Sequence, residues 1–308
     1  MIRRETVQVQ INDNSVQFTN LDKVFWPEEG YTKLDVLNYY TQVAPFLLPH
    51  LRDRPMVMVR YPNGITGHHF YQKECPDYAP DWVRTISLEH SGGKRIHYCL
   101  CNNLETLLWL VNQGAIELHP WLSRYQSDNY PDFLVFDLDP DPPSAFPDTI
   151  PLALVLKEAL AEFDLQGFVK TSGATGLHLY VPIMPQYPYS VITQAAGFLA
   201  SLVAEAYPRQ ATVERMVRNR GGRVYLDYLQ NGRGKTLASV YCLRPIPGGP
   251  VSMPVTWEEL TQTKVNLDPT YFTLKTAPSQ LQQRGDLFAP VLSIKQRIDR
   301  LIKAAGVK

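Results

Sequence analysis

The 308-residue chain has no excess of charge of either sign: Lys plus Arg and Asp plus Glu number 30 each. That balance removes the global electrostatic case for a nucleic-acid binder, so any basic surface must be local. Cysteine is scarce, and Cys75, Cys99, Cys101 and Cys242 form no CxxC pair. A zinc site needs further ligands at suitable spacing, which the sequence does not offer, so reduced and buried thiols are expected. No run of about 18 apolar residues occurs, and the opening MIRRETVQVQ carries no apolar core. Neither a membrane span nor a secretory leader is expected, and the cytoplasm is the expected location. Repeats and low-complexity linkers are missing, as are a Walker A loop and a dinucleotide fingerprint. With 44% hydrophobic and 19% charged residues, the composition is that of a globular protein. The length suits one large domain or two closely packed modules.

What is present is a set of periodic segments. Thr32 with Asp35 resembles a capping box and predicts a helix over 34–48, broken or kinked at Pro45. Helical spacing recurs over 104–111, 152–163, 191–207 and 292–305. Strand patterns cover 56–60, 133–139, 178–183, 224–229 and 238–241. From Phe133 onward strands and helices alternate, which predicts an α/β (α+β) fold with a mixed sheet and packed helices. A soft boundary falls near residue 125.

The strongest chemical signal is Phe133-Leu-Val-Phe-Asp137-Leu-Asp139-Pro140. Strand side chains alternate, so Asp137 and Asp139 share a face while Leu138 points into the core. Two carboxylates on one face call for a cation, and hard oxygen ligands select Mg²⁺ or Mn²⁺. A two-ion phosphoryl-transfer site needs a third acid. Asp227, in Arg223-Val-Tyr-Leu-Asp227-Tyr, is the best candidate. A bare DxD also ends a strand and caps a turn, and Pro140 and Asp141 suit that role. It fits haloacid-dehalogenase phosphatases and metal-dependent glycosyltransferases too. Asp141, where that phosphatase motif carries Thr or Val, weighs against the first of these.

Between the acidic segments lies Lys170-Thr-Ser172-Gly173-Ala-Thr-Gly176-Leu-His178. Two glycines flank a short turn whose N–H groups and hydroxyl can cradle an anion, with His178 at the start of the next strand. Arg220, Arg223, Arg233, Lys235 and Arg244 cluster around Asp227 in sequence. Asn231-Gly232-Arg233-Gly234 reads as a hairpin turn that puts Asp227 and Lys235 on adjacent strands. Cations beside a metal site suit a triphosphate, whereas a solvated turn is the plainer account, above all for Arg233.

FDLDP, TSGATGLHLY and VYLDYLQNGRGKT followed by LRP resemble the polymerase domain of bacterial ATP-dependent DNA ligase D, in the archaeo-eukaryotic primase superfamily. TNLDKVFWPEEGYTKLDVLNYY, RYPNGITGHHFYQKECP and DPTYFTLKTAPSQLQQRGDLF match as well, so the resemblance spans nearly the whole chain. It implies a primase-like fold, mixed sheets flanked by helices with an RRM-like catalytic module, in a single domain over 1–308. Residues 1–125 would bind the DNA end and template, and 126–308 would carry catalysis. The implied activity is template-directed nucleotidyl transfer, polymerase and primase, at DNA ends or gaps in non-homologous end joining.

The implied cofactors are two Mn²⁺ or Mg²⁺ ions on Asp137, Asp139 and Asp227. By the same resemblance Ser172, His178, Lys235 and Arg244 contact the triphosphate. Arg220 lies near the template and incoming nucleotide, and His119 near its sugar. Asn20, Lys23 and Lys33 bind the 5′-phosphate of a downstream strand, and Phe70 and Tyr71 stack on template bases. Implied partners are gapped DNA with a 5′-phosphate, ribo- or deoxyribonucleoside triphosphates, a Ku-type end-binding protein and a DNA ligase, with a nucleoid-associated location. Thr175 departs from relatives that carry Lys in the turn, which puts one phosphate contact in doubt. Two other readings stay open: a DxD phosphatase or glycosyltransferase, and a non-catalytic module that bridges DNA ends.

Overall fold

The computed structural model describes residues 6–89, 93–262, 267–268 and 270–307. Residues 1–5, part of the MIRRETVQVQ opening, and Pro269 in the DPTYF segment lie outside them. Two compact units divide the chain. The first comprises Met1–Trp121, Thr236–Val251 and Phe272–Gly285; the second comprises Leu122–Lys235, Ser252–Tyr271 and Asp286–Lys308.

In the first unit, β1 (Thr6–Ile11) and β2 (Asn14–Thr19) form an antiparallel hairpin, and β3 (Val24–Trp26) pairs with β4 (Tyr31–Thr32). Helix α1 (Lys33–Leu51) starts on the full capping box of Thr32 and Asp35. It runs through both Pro45 and Pro49 without a break, so the end expected near residue 48 falls three residues later. The buried Tyr39 and Tyr40 of α1 donate to the carbonyls of Tyr241 and Ile116, at 2.8 and 2.6 Å. Next come β5 (Met56–Arg60), β6 (Phe70–Gln72), the hairpin of β7 (Thr85–Glu89) with β8 (Arg95–Cys99), α2 (Leu104–Asn112) and β9 (Ala115–Pro120). Strands β6, β5 and β9 form an antiparallel sheet in that order. Its register places Tyr71 and Glu117 on either side of Val59.

The second unit is built on a six-stranded sheet. Its elements are β10 (Phe133–Pro140), α3 (Phe146–Ala161), β11 (Phe168–Thr171), β12 (Leu177–Pro182), α4 (Tyr189–Ala206), β13 (Ala211–Thr212), α5 (Val217–Arg220), β14 (Val224–Asp227) and β15 (Pro254–Val255). The order is β13-β14-β10-β12-β11-β15, antiparallel except between β13 and β14. Helices α3 and α4 pack on β10 and on each other. Leu134, Phe136, Leu138 and Leu226 are fully buried, as a covered sheet face requires.

Three predicted elements differ. No strand forms over 238–241, because Tyr241 takes a left-handed backbone at φ 60° and gives its carbonyl to Tyr39. The hairpin at 231–234 does not form either: β14 stops at Asp227 and a 3₁₀ turn, Leu229–Asn231, follows. The buried Asn231 amide explains this, since its Oδ1 accepts from Val135 N at 2.8 Å and its Nδ2 donates to Val135 O at 2.7 Å. The side chain thus stands in for a neighbouring strand along β10, and Lys235 lies on an exposed turn instead of a paired strand. The final helix over 292–305 is split into Pro290–Ser293 and Asp299–Ala304. Gln296, between them, bridges to Ile183, and its amide serves Gln166 and the Pro182 carbonyl. The four cysteines are buried and free.

Candidate active site

Ladder register sets the acidic face. Asp137 on β10 stands opposite Asp227 on β14, and Asp139 opposite Tyr225. Directly opposed side chains share a face, as do residues two apart, so all three carboxylates project from one side of the sheet. Arg220 Nη1 donates to Asp139 Oδ2 at 2.9 Å, and Thr175 Oγ1 donates to Asp139 Oδ1 at 3.3 Å. Asp227 accepts from Tyr225 Oη at 3.1 Å, from Leu229 N at 2.9 Å and from Gln230 Nε2 at 2.9 Å. His178 Nε2 lies 3.4 Å from Asp137 Oδ1.

Among the described residues, no group of three His, Cys, Asp or Glu side chains is gathered closely enough to hold a metal ion as it stands. The donor set nonetheless fits a hard divalent cation, because three carboxylates share one face and two of them oppose each other directly. The Arg220 guanidinium stacks 4.2 Å over the Tyr225 ring. Among the described residues its buried Nε has no hydrogen-bond partner, a donor suited to an anion.

The glycine-flanked turn is knitted by Ser172, whose Oγ accepts from Ala174 N at 3.1 Å and Gly176 N at 3.0 Å. Two of the N–H groups expected to face an anion are therefore used inside the turn, and the Ser172 O–H is a donor in their stead. Gly176 presses on β10: a Cβ there would sit 1.9 Å from the Leu138 carbonyl oxygen, between the two aspartates in sequence. The next ladder position brings Lys170 of β11 against His178 of β12.

The first unit holds two further clusters. Lys23, Lys33 and Arg60 line a pocket of about 150 Å³ together with Asn20, and among its described lining residues none is acidic. That is far beyond the ~10–15 Å³ one water needs. Lys23 Nζ donates to Pro62 O at 2.5 Å and Asn63 Oδ1 at 2.6 Å, and Lys33 Nζ to Thr19 O at 2.7 Å. Burial, then the charges of Lys23 and Arg60, lower the Lys33 ammonium to about 8. Asn20 takes a left-handed backbone, φ 54°, at the turn leading to Lys23.

In the second cluster Glu117 receives His119 Nε2 at 2.9 Å on one oxygen and Arg244 Nε at 2.7 Å on the other. Burial alone would raise this carboxyl; the His119 hydrogen bond and the Arg244 charge outweigh it and set it at about 2. Tyr71 meets His119 edge to face at 6.3 Å, and Arg60 lies 5.3 Å over the Phe70 ring. Tyr71 is 64% exposed and Phe70 37%, so neither is a core aromatic.

The structure thus brings Asp137, Asp139, Asp227, His178 and Arg220 together, and it joins His119 to Arg244 through Glu117. Arg60 and Glu117 were absent from the expected set. Glu117 was within reach of the sequence, since the alternation that pairs Asp137 with Asp139 also pairs Glu117 with His119.

A family model described as LigD, primase-polymerase domain, matches residues 32–288. Over 271 residues the chain is 35% identical to the bifunctional non-homologous end joining protein LigD of Bacillus subtilis, covering 88% of the chain and 43% of that protein. The multifunctional LigD of Mycolicibacterium smegmatis is 32% identical over 278 residues, 90% of the chain and 36% of that protein. The chain therefore spans less than half the length of these curated relatives. The solved polymerase domain of Mycobacterium tuberculosis ligase D, in complex with DNA, superposes with a TM-score of 0.83 at 30% identity, covering 91% of this chain and 99% of that one. Fold and matches together define a primase-type nucleotidyltransferase. The chain belongs to the LigD primase-polymerase domain family. No described helix is long and apolar enough to cross a membrane.

Proposed function

We propose that the chain adds nucleotides under template direction to DNA ends or gaps in non-homologous end joining, with Asp137, Asp139 and Asp227 holding two Mn²⁺ or Mg²⁺ ions. The observation that carries this is the register of β10 and β14, which sets Asp137 against Asp227 with Asp139 on the same face. Two such ions held by Asp137, Asp139 and Asp227 would supply activation of the attacking hydroxyl and charge stabilisation at the leaving phosphate. The protein's own groups bind and orient. Ser172 O–H and His178 donate to triphosphate oxygens, and Arg220 offers its buried Nε to the same anion or to the template strand. Lys235, on its exposed turn, adds a solvent-facing cation. His119 is assigned to the nucleotide sugar and Arg244 to a phosphate, each fixed by Glu117.

The pocket of Asn20, Lys23 and Lys33 takes the 5′-phosphate of a downstream strand, with Arg60 as a third cation. Phe70 and Tyr71 stack on unpaired template bases, which every base permits. A Ku-type protein and a DNA ligase are the partners this role requires at the chromosome. The test is extension of a primer on gapped, 5′-phosphorylated DNA with each nucleotide class and each metal. Template-dependent addition, lost in Asp137→Ala and Asp227→Ala, is expected. Tight end binding with no addition under any condition would return the chain to end bridging, and hydrolysis of a phosphomonoester by the same aspartates would return it to the phosphatases.

A further inference from the structure

Lys170 is 0% exposed, on a strand inside the six-stranded sheet. A lysine is retained there only if its nitrogen is fully engaged. Its Nζ lies 2.8 Å from His178 Nδ1 and 2.5 Å from Ser252 Oγ. The Ser252 hydroxyl donates its single proton to the Thr171 carbonyl at 2.8 Å, so toward Lys170 it accepts and Nζ donates. On the far side of the ring, His178 Nε2 faces Asp137 Oδ1 at 3.4 Å. An ionised carboxylate only accepts, so the proton of a neutral ring belongs on Nε2, and Nδ1 presents a lone pair to Nζ.

We infer that Lys170 is a positioning residue: by donating to Nδ1 it holds His178 as the Nε2–H tautomer, so that the ring donates and does not accept on the side of the acidic face. Ser252 anchors Nζ for this task. Without the Lys170 donor, the ring can carry its proton on Nδ1 and turn a lone pair toward carboxylate or phosphate oxygens, which repel it. The link to nucleotide binding rests on the reading of His178 given above, whereas the tautomer itself does not.

The full chain, ¹⁵N-labelled at histidine, is examined by long-range ¹H–¹⁵N correlation at a pH where the ring signals have stopped moving. His178→Gln identifies the signals among the seven histidines. The wild type is expected to carry its ring proton on Nε2. Lys170→Met, of similar length but with no donor, is expected to show the Nδ1–H form or a mixture. Ser252→Ala, a smaller lesion, moves the population the same way by less. A wild-type ring protonated on Nδ1, or a tautomer unchanged in every folded variant, overturns the inference, and the wild-type spectrum decides even if Lys170→Met fails to fold. In folded variants, KM for the nucleoside triphosphate is expected to rise about tenfold or more with kcat less affected. A switched tautomer with unchanged KM removes His178 from the triphosphate and leaves the role of Lys170 toward the ring standing.

Discussion

Asp137 and Asp227 stand directly opposite each other on β10 and β14. Like charges so placed destabilise the pair of strands, by about 0.2–1 kcal/mol for an ordinary cross-strand pair. Asp227→Asn relieves that repulsion, keeps one oxygen for Tyr225 and Leu229 and needs only the Gln230 amide to turn, so it is expected to melt close to wild type in the presence of chelator. Wild type should gain stability with Mn²⁺, about 2.7 kcal/mol once the ion exceeds its Kd a hundredfold, and the variant should gain little. Nucleotide addition should drop by at least about a hundredfold. Equal Mn²⁺ stabilisation of both proteins would place the ion elsewhere.

Lys33 titrates at about 8, below the usual ~10.4 of lysine, so its ammonium is present under pH 8 and lost as pH rises through it. Affinity for a 5′-phosphorylated gap is expected to fall over that range. Calorimetry in buffers of different ionisation enthalpy should register proton uptake on binding near pH 8. Folding stability moves the other way: between pH 8 and about 10 the unfolded chain holds the extra proton, so stability contributed by this group rises with pH. Lys33→Met abolishes both trends. A wild-type profile that matches Lys33→Met would remove this lysine from the pocket's chemistry.

Glu117 contributes with the opposite sign. Its carboxyl is depressed to about 2, so its stabilisation is complete above the usual glutamate value of ~4.3 and is lost as pH falls from there toward 2. The contribution is on the order of 3 kcal/mol. Urea melts at steps from pH 5 to 2.5 should show wild type losing stability faster than Glu117→Gln, which starts lower because His119 and Arg244 lose the charge and one oxygen of their shared carboxylate. Parallel curves for the two proteins would mean that another group carries the acid sensitivity.

Tyr71→Ala should leave stability within about 0.5 kcal/mol of wild type, since the ring is largely exposed. Phe70→Ala should cost somewhat more, because Arg60 covers one face of that ring. Each should remove about 1–3 kcal/mol of affinity for single-stranded template, with little dependence on base or salt. Fluorescence titrations at two salt concentrations check this. A deficit that vanishes in high salt would mean that the aromatics only shape the neighbouring cations.

The acidic face was legible because strand alternation is a local rule: the pattern that buries Leu138 also sets Asp137 and Asp139 on one side. The helix start at Thr32 was legible for the same reason, since a capping box closes within four residues. What failed was decided at a distance. Asn231-Gly232 reads locally as a hairpin turn, yet the Asn231 amide is taken by Val135, 96 residues away in sequence. The stretch over 238–241 reads as a strand, yet a tyrosine of α1 takes the Tyr241 carbonyl. Arg60 acquires its role only when the fold sets it beside Lys23 and Lys33, and Glu117, although its pairing with His119 is local, meets Arg244 only across 127 residues of chain.

Gly176 has a consequence for how this protein can vary. Its α-carbon rests so close to the main chain of β10 that no side chain separates the glycine-flanked turn from the peptide between the two aspartates. The gap between the glycine-flanked turn and the acidic pair is therefore a backbone dimension, held like a gauge block between two polypeptide strands. Side-chain exchange around it can alter charge, reach and selectivity but not that spacing. Widening it would require β10 and β12 to part along their shared ladder, at the expense of the sheet itself.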